Sequence, residues 1–136
     1  MFSAGISCLV ELYGCPPELL DDECFIEARL REAVEHARAT LLEQSTKRFH
    51  PQGVTAFALL AESHISIHTW PELRYAAIDV FTCGRRAMPE PAFQYLVEAL
   101  QAGRHTVQRV ERGMGLGKDA LKAVPKSPEA VQAVPV

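Results

Sequence analysis

No apolar run in this chain approaches the ~20 residues needed to cross a bilayer. The apolar start, Met1 to Cys15, has neither the basic residues nor the small-residue cleavage site of a secretion signal. Basic charge is not in excess either: 14 Lys and Arg face 17 Asp and Glu, for a net charge of −3. No electrostatic argument therefore favours nucleic acid or an anionic membrane. Four cysteines are present (Cys8, Cys15, Cys24, Cys83), with no C-x-x-C pair and no dense disulfide framework. There is no internal repeat and no low-complexity segment. These absences leave a cytoplasmic protein with reduced thiols, and 136 residues leave room for one compact domain.

The elements that are present alternate between two periods. Residues 7–14 read as a strand closed by Gly14 and the Pro16-Pro17 turn. Asp21 and Asp22 offer N-cap chemistry for a helix whose apolar stripe runs Ile26, Leu30, Ala33, Val34, Ala37, Leu41. Three strand-like runs follow, at Val54–Ala61, His64–Trp70 and Tyr75–Cys83, with a weaker one near Ser45–Phe49. Short loops at Pro51–Gly53 and Pro71–Arg74 make neighbours antiparallel. A second helix starts near Pro91 and stops at Gly103, and His105–Arg112 suggests a last strand. The order predicts an α+β fold: a two-layer α/β sandwich with both helices on one face of an antiparallel sheet. The opposite face needs a cover, which dimerisation would provide. Residues 1–112 form the predicted domain. Residues 113–136 hold three glycines, three prolines and no aromatic, the composition of a loose tail.

Chemistry is concentrated in Glu62-Ser63-His64-Ile65-Ser66-Ile67-His68-Thr69-Trp70-Pro71-Glu72. Two histidines, two serines, a tryptophan and two carboxylates fall in eleven residues of an otherwise apolar sheet. Each alone reads as ordinary: a strand histidine is usually hydrogen-bonded core, and Trp70 before Pro71 could plug a sheet corner. Together they are too many groups that are costly to bury. A zinc site could draw on His64, His68 and Cys83, though the spacing matches no common zinc motif and a fourth ligand is missing. A serine hydrolase would want glycines flanking Ser63, and none are there. A Cys83 nucleophile with His68 as base stands on residue types alone.

The stretch Glu62–Glu72, with Ala76–Gly84 after it, resembles the processing and active-site region of prokaryotic S-adenosylmethionine decarboxylases, which are pyruvoyl enzymes. The likeness reaches back through Arg48-Phe49, Pro51 and Gly53-Val54 to Glu11-Leu12-Tyr13-Gly14-Cys15, covering about residues 5–112. It implies a proenzyme that cuts itself between Glu62 and Ser63. Ser63 would attack the Glu62 carbonyl, moving the acyl group from nitrogen to oxygen, with His68 accepting a proton so that the ester eliminates. The β chain would end at Glu62, and Ser63 would become a pyruvoyl group at the head of the α chain. That ketone condenses with the substrate amine as a Schiff base and acts as electron sink, with no metal and no pyridoxal phosphate. Cys83 would return a proton to the substrate carbon. Thr55 would support processing, and Phe49, Trp70 and Glu72 would bind S-adenosylmethionine. The αβ protomers would pair as dimers.

Members of this family commonly open with Gly, a basic residue and His, where this chain reads Gly5-Ile6-Ser7. Thr55 stands where serine is usual, and His50 is also uncommon. A pyruvoyl-dependent arginine or ornithine decarboxylase is accordingly the alternative. From other classes, a small-ligand binding module would not need the Glu62-Ser63 chemistry, and a nucleic-acid-binding sheet would need basic residues around its aromatics. Alternation along 63–68 puts Ser63 and His68 on opposite faces, so a backbone break is expected near 62–64.

Overall fold

In the computed structural model, residues 4–83 and 87–116 are described. Six strands form one antiparallel sheet: β1 (Gly5–Tyr13), β2 (Leu41–Arg48), β3 (Val54–Leu60), β4 (Ser63–Trp70), β5 (Tyr75–Cys83) and β6 (Arg104–Arg112). Their spatial order is β2-β3-β4-β5-β1-β6. Three α-helices accompany the sheet among the described residues: α1 (Pro17–Leu20), α2 (Glu23–His36) and α3 (Pro89–Ala99). Helix α2 packs on β2, β3 and β4, α3 packs on β1 and β5, and the two helices touch each other. The two-layer expectation is met.

Alternation sorts the sheet cleanly. Val10, Leu12, Ala56, Ala58, Ile65, Ile67, Ile78 and Val80 face the helices and are essentially inaccessible to water. They meet Ile26, Leu30, Ala33 and Leu96, and each large side chain stabilises the fold by roughly 1.5–3 kcal/mol. Ser7, Leu9, Glu11, Phe57, His64, His68, Trp70, Asp79 and Phe81 take the alternate positions on the other face. Among the described residues no helix covers that face, and Leu9, Phe57 and Trp70 are each about two-fifths exposed.

Three local readings are corrected. The stripe of α2 does not extend to Leu41, because the helix ends at His36 and Leu41 opens β2. The weak run near Ser45–Phe49 matches the second half of that edge strand, which ends at Arg48. Second, both helix ends are made by residues other than glycine. Arg38 (φ 56°) and Gln101 (φ 51°) adopt the left-handed conformation. Behind them Ala39 N–H bonds to Val34 C=O and Ala102 N–H to Val97 C=O. α3 thus ends at Ala99, and its left-handed residue, Gln101, stands two positions ahead of Gly103. Third, Asp22 caps α2 by accepting from Phe25 N–H at 3.0 Å, whereas Asp21 does something else. It accepts from Gly53 N–H at 2.9 Å and Arg48 at 2.7 Å, holding the 49–53 loop. Those donors, the Gly53 amide first, keep Asp21 below the ordinary carboxylate range.

Left-handed conformation costs a β-carbon that glycine lacks. Gln101→Gly should therefore stabilise the protein by about 0.5–1 kcal/mol, raising Tm in a thermal melt. An unchanged or lower Tm would show that the Gln101 side chain contributes more than its backbone costs. The Ala76–Gly84 run ends on a glycine outside the described residues, as does the tail from 117 onward.

Candidate active site

The β3–β4 hairpin turns on two residues, Ala61 and Glu62, with Leu60 paired to Ser63. Ser63 has φ 138°, a conformation costing a non-glycine residue on the order of 1–3 kcal/mol. The expected break therefore falls on Ser63 itself. Alternation with Ile65 and Ile67 would put Ser63 on the helix side, yet its Oγ lies 3.4 Å from Nδ1 of His64, an open-face residue. The Glu62 carbonyl, the acyl half of the Glu62–Ser63 peptide, accepts a hydrogen bond from Cys83 N–H at 2.8 Å. A backbone donor aimed at a carbonyl oxygen polarises it toward nucleophilic attack. Cys83 is half-buried at the end of β5, opposite Gly5. A β-carbon at Gly5 would stand 2.7 Å from the Thr82 carbonyl oxygen and 3.0 Å from the Cys83 sulfur, so this strand needs glycine there. Around this cluster, Phe57 stacks on His64 at 5.5 Å, Phe81 meets His64 edge-on at 5.9 Å, and Arg112 lies over Phe81.

The remaining predicted residues gather at the other end of β4. His68 Nδ1 is 3.0 Å from Thr55 Oγ1 across the β3–β4 pair. Trp70 follows on the same face, with its ring 6.4 Å from His68 and stacked on Tyr75 at 5.2 Å. Tyr75 stacks in turn on Tyr13, and Arg104 sits 4.1 Å above Tyr13. Glu72 is exposed in the 3-10 turn Pro71–Leu73 just beyond. Phe49 is 47% exposed, and its loop returns through Gly53 and Val54 against Thr69. Tyr75 donates to Glu11 at 2.8 Å, and burial together with that bond pushes its phenol up to about 12.

β4 pairs without interruption with β3 from Ser63 to His68 and with β5 from Ser63 to Trp70. Five residues of strand at ~3.3 Å each separate Ser63 from His68 by about 16 Å. The predicted residues therefore fall into two separate clusters within the chain. Ser63, Glu62 and Cys83 occupy one end of β4, while Thr55, His68, Trp70, Glu72 and the Phe49 loop occupy the other. The same spacing defeats a zinc site on His64 and His68, which lie about 13 Å apart along the strand and cannot both reach an ion bound at ~2 Å. A Cys83–His68 pair within one chain fails likewise, since His68 lies opposite Ala77, six residues from Cys83. Among the described residues no three His, Cys, Asp or Glu side chains converge as a metal site. No helix among them is long and apolar enough to cross a membrane.

Residues 6–113 match the sequence profile of the family described as S-adenosylmethionine decarboxylase. The chain belongs to that family. An S-adenosylmethionine decarboxylase proenzyme of Synechococcus sp. (strain WH7803) is 50% identical over 122 residues, 90% of this chain and 95% of its own. A proenzyme of the same name from Methanococcus maripaludis (strain C5) is 46% identical over 114 residues, 84% of this chain and 93% of its own. The crystal structure of the adenosylmethionine decarboxylase from Aquifex aeolicus VF5 superposes with a TM-score of 0.81 at 36% identity. It covers 87% of this chain and 97% of that one. Against this family background, residues that sequence reasoning passed over gain weight. His64, weighed from sequence only as a zinc ligand, is the imidazole beside Ser63, and Tyr13, Tyr75 and Phe81, to which sequence reasoning gave no role, extend the aromatic surface. Tyr75 and Phe81 carried a signal as aromatics in phase with Asp79 on one strand face.

Proposed function

We propose that this S-adenosylmethionine decarboxylase family member is a cytoplasmic, self-processing enzyme. It cuts itself between Glu62 and Ser63, converts Ser63 to a pyruvoyl group and decarboxylates S-adenosylmethionine. The observation that carries the reading is the Glu62–Ser63 peptide itself, set in a tight turn with Ser63 at φ 138° and its carbonyl on the Cys83 amide. Ser63 Oγ attacks the Glu62 carbonyl carbon, and the peptide nitrogen leaves to become a free amine on Ser63. The chain is then joined through an ester. An imidazole removes the Ser63 Cα proton, the Cβ–Oγ bond of Ser63 breaks, and Glu62 departs as a carboxylate that carries away the serine oxygen. The dehydroalanine left behind tautomerises to an imine, and water releases ammonia from it to give the keto acyl terminus. The fit of a keto group here rests on the strained serine and on the backbone donor beside it. When formed, that group supplies an electron-withdrawing carbonyl to the carbon losing carbon dioxide. Cys83, at the same end of β5, is positioned to donate a proton.

His68 cannot reach its own Ser63, yet the uncovered face invites a second copy. In a twofold, face-to-face dimer with opposed β4 strands, the His68 end of one copy lies over the Ser63 end of its partner. Each complete site would then hold Glu62, Ser63 and Cys83 from one chain. Thr55, His68, Phe49, Trp70 and Glu72 would come from the other. Thr55 holds His68 through Nδ1, which leaves Nε2 to act. Trp70 suits a sulfonium cation and Glu72 the ribose hydroxyls. The testing experiment is kcat/KM for S-adenosylmethionine against arginine and ornithine on fully cleaved enzyme. S-adenosylmethionine should win by at least ~10-fold, a gap of about 1.4 kcal/mol in transition-state stabilisation. A tenfold preference for either amino acid would overturn the substrate and leave the self-cleavage intact. Cys83→Ala should still cleave but turn over roughly 10²-fold more slowly. Failure of that variant to cleave would move Cys83 into processing.

A further inference from the structure

The connection between α2 and β2 ends on Thr40, and its backbone holds both residues that precede the scissile bond. Thr40 N–H donates to Glu62 Oε1 at 2.9 Å. Thr40 C=O accepts from Ala61 N–H at 3.0 Å. With Cys83 N–H on the Glu62 carbonyl, Glu62 is pinned by its side chain on one side and its main chain on the other. The connection is itself held firm. Arg38 and Ala39 bond back to the last turn of α2, and Ala37 C=O accepts from Met88 N–H at 2.9 Å. The β2–β3 register shifts between Leu41 and Glu43, where the strand leaves this clasp.

A two-residue turn with a serine at φ 138° would relax if its neighbours allowed it, since such strain persists only where the surroundings over-determine it. Acyl transfer from nitrogen to oxygen also needs the hydroxyl held within about 3–3.5 Å of the carbonyl carbon. We propose that the Glu62 side chain is a positioning residue for self-cleavage, acting through the Thr40 amide. It keeps the Glu62 carbonyl on Cys83 N–H and prevents Ser63 from relaxing to a negative φ. The proposal rests on the self-cleavage reading above and adds a role for a side chain that takes no part in the chemistry.

The test times cleavage of precursor made by cell-free synthesis, by loss of the full-length band on a denaturing gel. Parallel samples receive hydroxylamine, which cuts an ester and spares an amide. Glu62→Ala should slow cleavage about tenfold, the worth of one hydrogen bond to a carboxylate. Its surviving precursor should resist hydroxylamine, because the step lost is the one that makes the ester. Glu62→Gln keeps an acceptor oxygen at the same reach and should cleave within about threefold of the parent chain. Glu62→Asp stops one methylene short of Thr40 and should resemble Glu62→Ala. In a Ser63→Ala background, adding Glu62→Ala should move Tm by no more than a few degrees, which a purely structural role would not allow. Cleavage of Glu62→Ala at the parent rate overturns the proposal. So does Glu62→Asp outpacing Glu62→Gln, a result that assigns the effect to charge. If Glu62→Ala does not fold, the Asp and Gln pair decides alone. If the parent chain stays whole in the same assay, the self-cleavage reading fails instead.

Discussion

Ser63→Ala should leave a single full-length chain with no measurable decarboxylation, while thermal unfolding stays close to that of the parent. The parent preparation should instead give two masses, for residues 1–62 and 63–136. The second chain should be blocked to Edman sequencing, because a keto acyl terminus has no amine to label. The loss is total because the hydroxyl oxygen is both the nucleophile and the bridge through which the ester forms. The fold should survive because the Ser63 side chain makes one long contact, to His64 at 3.4 Å, and packs no core. An active preparation that remains one intact 136-residue species would refute the mechanism.

His68→Ala should accumulate uncut chain, and a mixture with Ser63→Ala should partly rescue it. In a dimer of the two variants, one site lacks both Ser63 and His68. The other site keeps both, because the Ser63→Ala chain lends its His68 to the partner's intact Ser63. Co-expressing the two variants with different tags should therefore restore cleavage of the His68→Ala chain, to as much as about half of the parent level if pairing is random. The Ser63→Ala chain must stay whole in every mixture. If His68 acted within its own chain, no mixture would be cut. If His68→Ala alone is cleaved normally while His64→Ala is blocked, the base is His64, the imidazole already beside Ser63. These outcomes differ by the presence or absence of a band, so the experiment needs no kinetic precision.

Much of the site was legible because its residues are contiguous. Glu62 to Glu72 concentrates its candidate groups by composition, the family resemblance implies their roles, and the expectation of a backbone break near Ser63 follows from strand alternation together with those roles. Sequence pattern also placed the buried stripe of α2 from Ile26 to Ala37, because a period of 3.6 is a local property. The helix ends were misread for a local reason of another kind. Arg38 and Gln101 take a conformation that their side chains do not advertise, and Leu41 stays in phase with the α2 stripe although it opens a strand.

What the linear sequence determined, then, is the inventory: a serine after a glutamate, two imidazoles, a thiol and several aromatics on one amphipathic sheet. Tertiary structure decided which of them can meet. Strand pairing brings Cys83 N–H to the Glu62 carbonyl across 21 positions, and the α2–β2 connection brings Thr40 to the Glu62 side chain across 22. The same pairing carries His68 about 16 Å away from Ser63, although only four residues intervene. Closeness in sequence becomes distance along an extended strand, because each residue advances the chain by its full rise. Closeness in space comes from register between strands, which is fixed by the packing of the whole sheet against its helices.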